Sequence, residues 1–207
     1  MGIEIPQNKF LILDGAMGTV LQQRGLSPQG RPELLNLTEP ELLDSVYKEY
    51  IAAGSQVIYA NTFGANGLKL AKTGHSVEEV VGAAIAVAKK AAAGTGTLVA
   101  LDVGPLGELL EPMGTLSFER AYDLFREMAE AGAKAGADLI VVETMTDLYE
   151  AKAALLAAKE AAHLPVFVTM SFDAGGRTFT GCTVASMART LEGLGADAIG
   201  QTCWRRC

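Results

Sequence analysis

The sequence is poor in several residue types on which common chemistries depend. Its 207 residues hold three cysteines, two histidines and one tryptophan, and aromatic residues make up only 6%. Three cysteines are an odd number, with Cys203 and Cys207 close together at the end, so a disulfide framework is excluded and a reducing cytoplasm is expected. No apolar run approaches the ~20 residues of a membrane span. The opening MGIEIPQNKFLILDGAMGTV has no basic stretch ahead of its short apolar run, so no export signal is expected. The sequon Asn36-Leu37-Thr38 is then without consequence. Positive charge is also short: 17 Lys and Arg stand against 24 Asp and Glu, a net charge of −7, which disfavours nucleic acid and anionic membranes as partners. No G-x-G-x-x-G opens a helix and there is no Walker A loop, so neither dinucleotide nor P-loop phosphate binding is indicated. His75 and His163 fall in loops beside helices and read as solvated.

What is present is a 49% hydrophobic, 20% charged chain, enough for one domain with its own core. Short apolar runs alternate with longer amphipathic ones. Runs at 10–16, 56–63, 97–104, 137–144, 164–173 and 196–203 read as strands buried on both faces. Between them, helices are predicted to start at Pro40, after Ser76 (a Ser-x-x-Glu capping box), after Ser117, at Asp147 and at Thr183. Gly54, Gly94, Gly136 and Gly195 sit where C-terminal caps belong.

Strand–helix repetition implies a parallel sheet, either an open doubly wound sheet or a (β/α)8 barrel. Each run ends in polar residues: Asp14, Asn61-Thr62, Asp102, Glu143-Thr144, Ser171 with Asp173, and Thr202-Cys203. A doubly wound sheet needs such ends only beside its switch point, so the barrel is preferred. A barrel takes about 250 residues and eight strands. Six runs therefore amount to about six βα units with two outstanding, in a single domain over 1–207.

The residues that carry chemistry each have a plain alternative. Asp14-Gly15-Ala16-Met17-Gly18-Thr19 is a ligand loop or a tight turn. Glu143, at the end of an apolar strand, holds a ligand ammonium or a salt bridge. Cys203 is a nucleophile, a metal ligand or a buried cysteine, and Cys203-x-x-x-Cys207 alone is a weak metal spacing. Asp173 to Arg177 reads as a turn, and Cys182 has no assigned role. Without further information, Asp14, Asp102 and Glu143 are equally compatible with acid–base or metal work on a β/α scaffold.

Seven ordered stretches nevertheless resemble one family. They are LDGAMGT (13–19), ELLNLTEPE (33–41), YANTFGAN (59–66), DVGPLGELLEP (102–112), VVETMTDLYEAKAAL (141–155), SFDAGGRTFTG (171–181) and GADAIGQTC (195–203). Together they resemble the homocysteine-binding domain of the homocysteine S-methyltransferases, most nearly its cobalamin-dependent methionine synthase branch. The resemblance implies a (β/α)8 barrel in which zinc holds the homocysteine thiolate for methylation to methionine. It implies that Asp14, Gly15, Ala16, Met17, Asn61 and Glu143 bind homocysteine, with the Asp14-Gly15 loop and Glu143 holding its amino-acid end. It implies Cys203 as one zinc ligand, within Gly200-Gln201-Thr202-Cys203, where the family usually has Asn in place of Thr202. The family's adjacent cysteine pair has no counterpart, so the zinc site is expected to be incomplete here. Cobalamin and folate would be reached only through separate modules. Trp204 to Cys207 depart from the family pattern. A truncated or out-of-frame end from about residue 201, and with it an inactive fragment, is the competing expectation.

Overall fold

The computed structural model describes residues 10–27 and 30–203, the last by its backbone. Five parallel strands form one sheet: β1 (Val57–Tyr59), β2 (Leu98–Val103), β3 (Leu139–Met145), β4 (Val166–Phe172) and β5 (Ala198–Cys203). Their spatial order is β1-β2-β3-β4-β5, each beside its sequence neighbour. A doubly wound sheet reverses its order at a switch point. This sheet never reverses, so every crossover lays its helix on the same face, as in a β/α barrel. The sheet is an arc. Among the described residues no ladder joins its two edges.

The first predicted strand ladders at a single residue. Leu13 bridges Val57 in parallel, and Ile12 O accepts from the N–H groups of Gln56 and Val57 at 2.8 and 3.2 Å. Segment 10–16 thus takes the sixth place, beside β1, with Phe10 and Ile12 exposed. The 56–63 run is also shorter than expected, because the chain turns away at Asn61 and Thr62.

The helices are α1 (Met17–Gln23), α2 (Leu35–Thr38), α3 (Pro40–Ala52), α4 (Gly67–Leu70), α5 (Val77–Ala92), α6 (Phe118–Ala135), α7 (Leu148–Ala162) and α8 (Val184–Gly193), with a 3₁₀ turn at Pro32–Leu34. The predicted N-terminal caps form as side-chain hydrogen bonds. Ser76, Ser117, Asp147 and Thr183 accept from the N–H groups of Glu79, Arg120, Tyr149 and Ser186. Such caps satisfy donors that the helix itself leaves unpaired. Gly136 ends α6 at φ 91°, a left-handed conformation that costs glycine little. At the end of α7 that conformation falls to His163, at φ 48°. The Asp173–Arg177 stretch is the expected turn, its Oδ1 accepting from Gly175 and Arg177 N–H.

Period-two alternation divides each strand between two faces. Ile58, Val99, Leu101, Ile140, Val142, Val168 and Met170 face outward and pack under the helices in the main core. Val57, Ala100, Leu139, Val141 and Phe167 face inward and form a separate small core inside the arc. Leu101 is fully buried at the centre of the outer layer, close against Gly132 of α6. Leu101→Ala is expected to cost about 2–5 kcal/mol. Ser117→Ala, which removes one cap, should cost about 1 kcal/mol. Urea unfolding of both variants checks this, and a smaller loss for Leu101→Ala would contradict a core centred on the outer face of β2.

Candidate functional site

The inward residues near the C-terminal ends of the strands are polar, and they open on one cavity of about 630 Å³. The alternation that buries Leu98 and Ala100 on the inner side of β2 brings Asp102 to its upper edge. The same rule places Tyr59 above Val57 on β1 and Thr169 above Phe167 on β4. Gln201 and Thr202 of β5 complete that side, and Thr202 Oγ1 lies 3.0 Å from Ser171 Oγ.

On β3 the alternation is broken. Val142 pairs with Val168 and Met145 with Met170, so β3 carries one extra residue there. This bulge turns both Glu143 and Thr144 towards the cavity. Thr144 adopts φ 60° to make it, an unfavourable conformation for a β-branched residue. Its N–H donates to Thr169 Oγ1 at 3.3 Å. Local strain of this kind, of order 1–3 kcal/mol, persists where the surroundings hold it, and it concentrates at functional sites.

The loop after segment 10–16 supplies the opposite wall. Asp14 Oδ2 accepts from Tyr59 N–H at 2.9 Å. Gly15, Ala16, Met17, Gly18 and Thr19 line the cavity, and α1 starts there without a side-chain cap. Glu33 enters from the 3₁₀ turn, its Oε1 accepting from Gly64 N–H at 2.8 Å. A side chain at position 64 would collide with that carboxylate. Asn61 lines the cavity too, but its amide donates to Pro32 O at 2.6 Å, so it ties the turn carrying Glu33 to the end of β1. Asn36 reinforces the tie by donating to Glu33 O and Asn61 O.

All six residues expected to bind an amino acid therefore line this one cavity: Asp14, Gly15, Ala16, Met17, Asn61 and Glu143. Cys203 closes β5 opposite Phe172 on β4, at the same end of the sheet. Its side chain, and Trp204 to Cys207, lie outside the described residues. Among the described residues no group of three His, Cys, Asp or Glu is placed to hold a metal ion. Cys182 lies away from the cavity, in the loop before α8, and neither histidine lines it. Sequence reasoning missed Glu33, Tyr59 and Phe63, and gave Asp102 only a fallback role. The period-two step from Ala100 to Asp102 was the signal that could have placed it.

The cavity is acidic. None of the described residues lining it is Lys, Arg or His. Burial pushes the Asp14 carboxyl from 3.8 up to about 7, opposed by the Tyr59 N–H and reinforced by the Glu143 charge. Burial raises Glu143 as well. Asp102 is pushed well up too, by burial first and then by Glu143, Asp14 and Glu33. The Tyr59 phenol is likewise held well above its usual range by burial and by these carboxylates. A half-buried set of carboxylates without a counter-cation is suited to receive one from a ligand.

An unreversed parallel sheet with a polar cavity at its strand ends defines a β/α-barrel-type protein, with the cavity where such folds carry their sites. The family model described as homocysteine S-methyltransferase matches residues 11–206. The chain is 30% identical over 221 residues to methionine synthase of Mycobacterium tuberculosis (strain ATCC 25618 / H37Rv), and to that of Mycobacterium leprae (strain TN). Each match covers 97% of this chain and 18% of the relative, so the chain spans about a fifth of the curated relatives it matches. The metallated form of the homocysteine methyltransferase MmuM from Escherichia coli superposes with a TM-score of 0.82 at 25% identity. That superposition covers 94% of this chain and 75% of MmuM. The chain belongs to the homocysteine S-methyltransferase family.

The raised Asp14 carboxyl has a consequence for stability. The folded chain keeps this proton up to about pH 7, whereas the unfolded chain releases it near 3.8. Across that window the unfolded chain binds fewer protons, so this group's contribution to stability falls as pH rises and is flat above it. Asp14→Asn should remove that part of the fall. Urea midpoints measured across the window for both chains check it, and an unchanged slope in the variant would contradict the burial of Asp14.

Proposed function

We propose that this chain is the homocysteine-holding module of a methyltransferase that makes methionine. One observation carries the reading: a row of carboxylates and an uncapped loop line the same cavity. An α-amino acid has an ammonium and a carboxylate on one carbon, and those two surfaces suit its two charges. Glu143 and Asp14 would receive the ammonium. The N–H groups of the Gly15–Met17 loop would receive the carboxylate. The homocysteine side chain would then extend towards Thr202 and the end of β5, with Tyr59 and Phe63 limiting access of water.

The finer parts of the proposal rest on the resemblance and on the matched relatives. Cys203 would supply one zinc ligand, the remaining ligands coming from outside the described residues. Zinc, when bound, would keep the substrate sulfur as the thiolate, which a free thiol with a pKa near 8.5 is not at neutral pH. Cobalamin- and folate-binding modules, as in the branch the chain resembles, would deliver the methyl group. A reducing cytoplasm suits a site built on thiolates.

Zinc analysis and calorimetry with L-homocysteine on the purified chain test the proposal. Glu143→Gln should weaken homocysteine about ten- to a hundredfold, the effect of losing one charge-assisted hydrogen bond of about 1.5–3 kcal/mol. Cys203→Ala should abolish zinc binding and leave the ammonium contacts intact. Homocysteine bound without zinc would make the chain a holding module that transfers nothing by itself. No homocysteine binding by a folded sample would reject the reading.

A further inference from the structure

One carboxyl group in the cavity is left without a role by the contacts just assigned. Asp102 is only 7% exposed, and its Oδ1 is buried with no hydrogen-bond partner. Its backbone is locked in place, since its N–H donates to Thr62 Oγ1 at 3.0 Å and its carbonyl accepts from that hydroxyl at 2.7 Å. The side chain lines the cavity and is fixed there by β2.

The titratable groups around Asp102 come from five elements. Asp14 faces it from segment 10–16, Glu33 from the 3₁₀ turn, Glu143 from β3, Tyr59 from β1 and Tyr47 from α3. Each is an acid, and none is a cation. Asp14 shares the same defect, a buried Oδ1 with no partner. Like charges this close in a poorly hydrated space do not all ionise; one carboxyl keeps its proton. The most enclosed member carries that proton at least cost, because burial penalises the charged form.

We propose that Asp102 is the neutral carboxylic acid of the empty cavity and that arrival of an ammonium-bearing ligand displaces its proton to solvent. This rests on the homocysteine reading for the identity of the ligand. The balance is simple. The Asp102 O–H bond breaks and its proton passes to buffer, while the ligand keeps all its ammonium protons. At the ammonium end one positive charge enters as one leaves, and the ligand carboxylate is met separately by the loop N–H groups. The arrangement selects for cations: a neutral isostere leaves Asp102 protonated and gains no ion pair. It also makes ammonium binding tighten as pH rises through the range in which the carboxylates lose their shared proton.

Two measurements on the full chain test this. The first is infrared spectroscopy in ²H₂O at neutral pH. A protonated-carboxyl stretch is expected in the ligand-free chain and loses intensity in the near-isosteric Asp102→Asn, the remainder belonging to Asp14 and Glu150. The second is calorimetry with L-methionine in two buffers of different protonation enthalpy. Methionine has no thiol proton, so release of about one proton per ligand would come from the carboxylates. Asp102→Asn should release fewer protons per methionine bound than the parent chain. An infrared band unchanged by Asp102→Asn, or identical binding heats in the two buffers, overturns the proposal. A band that depends on Asp102 in a chain binding neither methionine nor homocysteine upholds the neutral acid and rejects the homocysteine reading instead.

Discussion

Carboxyl groups gathered in a half-buried cavity repel one another and lose hydration, and the surrounding structure is arranged to keep them there. Asp14 is held by the Tyr59 N–H, Glu33 by the Gly64 N–H and Glu143 by a bulge that leaves Thr144 at φ 60°. None of these devices lowers the energy of the empty chain as much as an apolar substitute would. On the proposed reading, each prepares the cavity for the positive charge of the ligand. The site therefore sets a strained, acidic layer at one end of a well-packed barrel arc. The helix–sheet core around Leu101 and Met128 supplies the stability that tolerates it.

A second set of contacts holds the loops that frame the cavity. Tyr47 is fully buried, and its hydroxyl accepts from Asn61 N–H at 2.8 Å. Asn36 and Asn61 fasten the 3₁₀ turn to the end of β1. Lys69 Nζ donates to Pro105 O at 2.8 Å, and the buried Glu150 accepts from Leu106 N–H at 2.7 Å. Burial lifts the Glu150 carboxyl to about 7 and lowers the Lys69 amine, with the Glu33 and Glu150 charges opposing the fall at Lys69. Phe63 lies so close to Gly104 that any side chain at 104 would meet its ring. The loops after β1 and β2 thus behave as one packed unit, and a change in either moves both walls of the cavity.

Much of this was readable from the amino acids alone. The apolar runs that became β2, β3 and β4 were visible because strands buried on both faces have no polar positions to interrupt them, whereas the run expected to be a sixth such strand became the sheet edge β5, with Ile199 exposed. The caps at Ser76, Ser117, Asp147 and Thr183 were visible because those side chains have a local partner three residues or fewer away. Asp14 and Glu143 stood out as polar ends of apolar runs. Other features depended on distant partners. Glu33 opens the ELLNLTEPE stretch, which carried the resemblance but no residue role, and its place is set by Gly64, thirty-one residues on. The bulge at Thr144 has no glycine to announce it, since Val-Val-Glu-Thr-Met looks like uninterrupted strand. Helices α1, α2 and α4, of seven, four and four residues, are too short to show a period. Segment 10–16 looked like a full strand because its composition is one. Only the sheet edge decides how many of its residues ladder.

That thin attachment joins the edge of the fold to its chemistry. Segment 10–16 is fastened to β1 by a few backbone hydrogen bonds, by Gln56 Oε1 to Ile12 N–H and by the Asp14 carboxylate to Tyr59 N–H. If this edge breathes, Asp14 leaves the cavity with it. The free energy of local opening and the free energy of binding are then two readings of one equilibrium. A ligand that grips Asp14 acts as a clasp on the margin of the sheet, and the first strand position is completed by the molecule it serves.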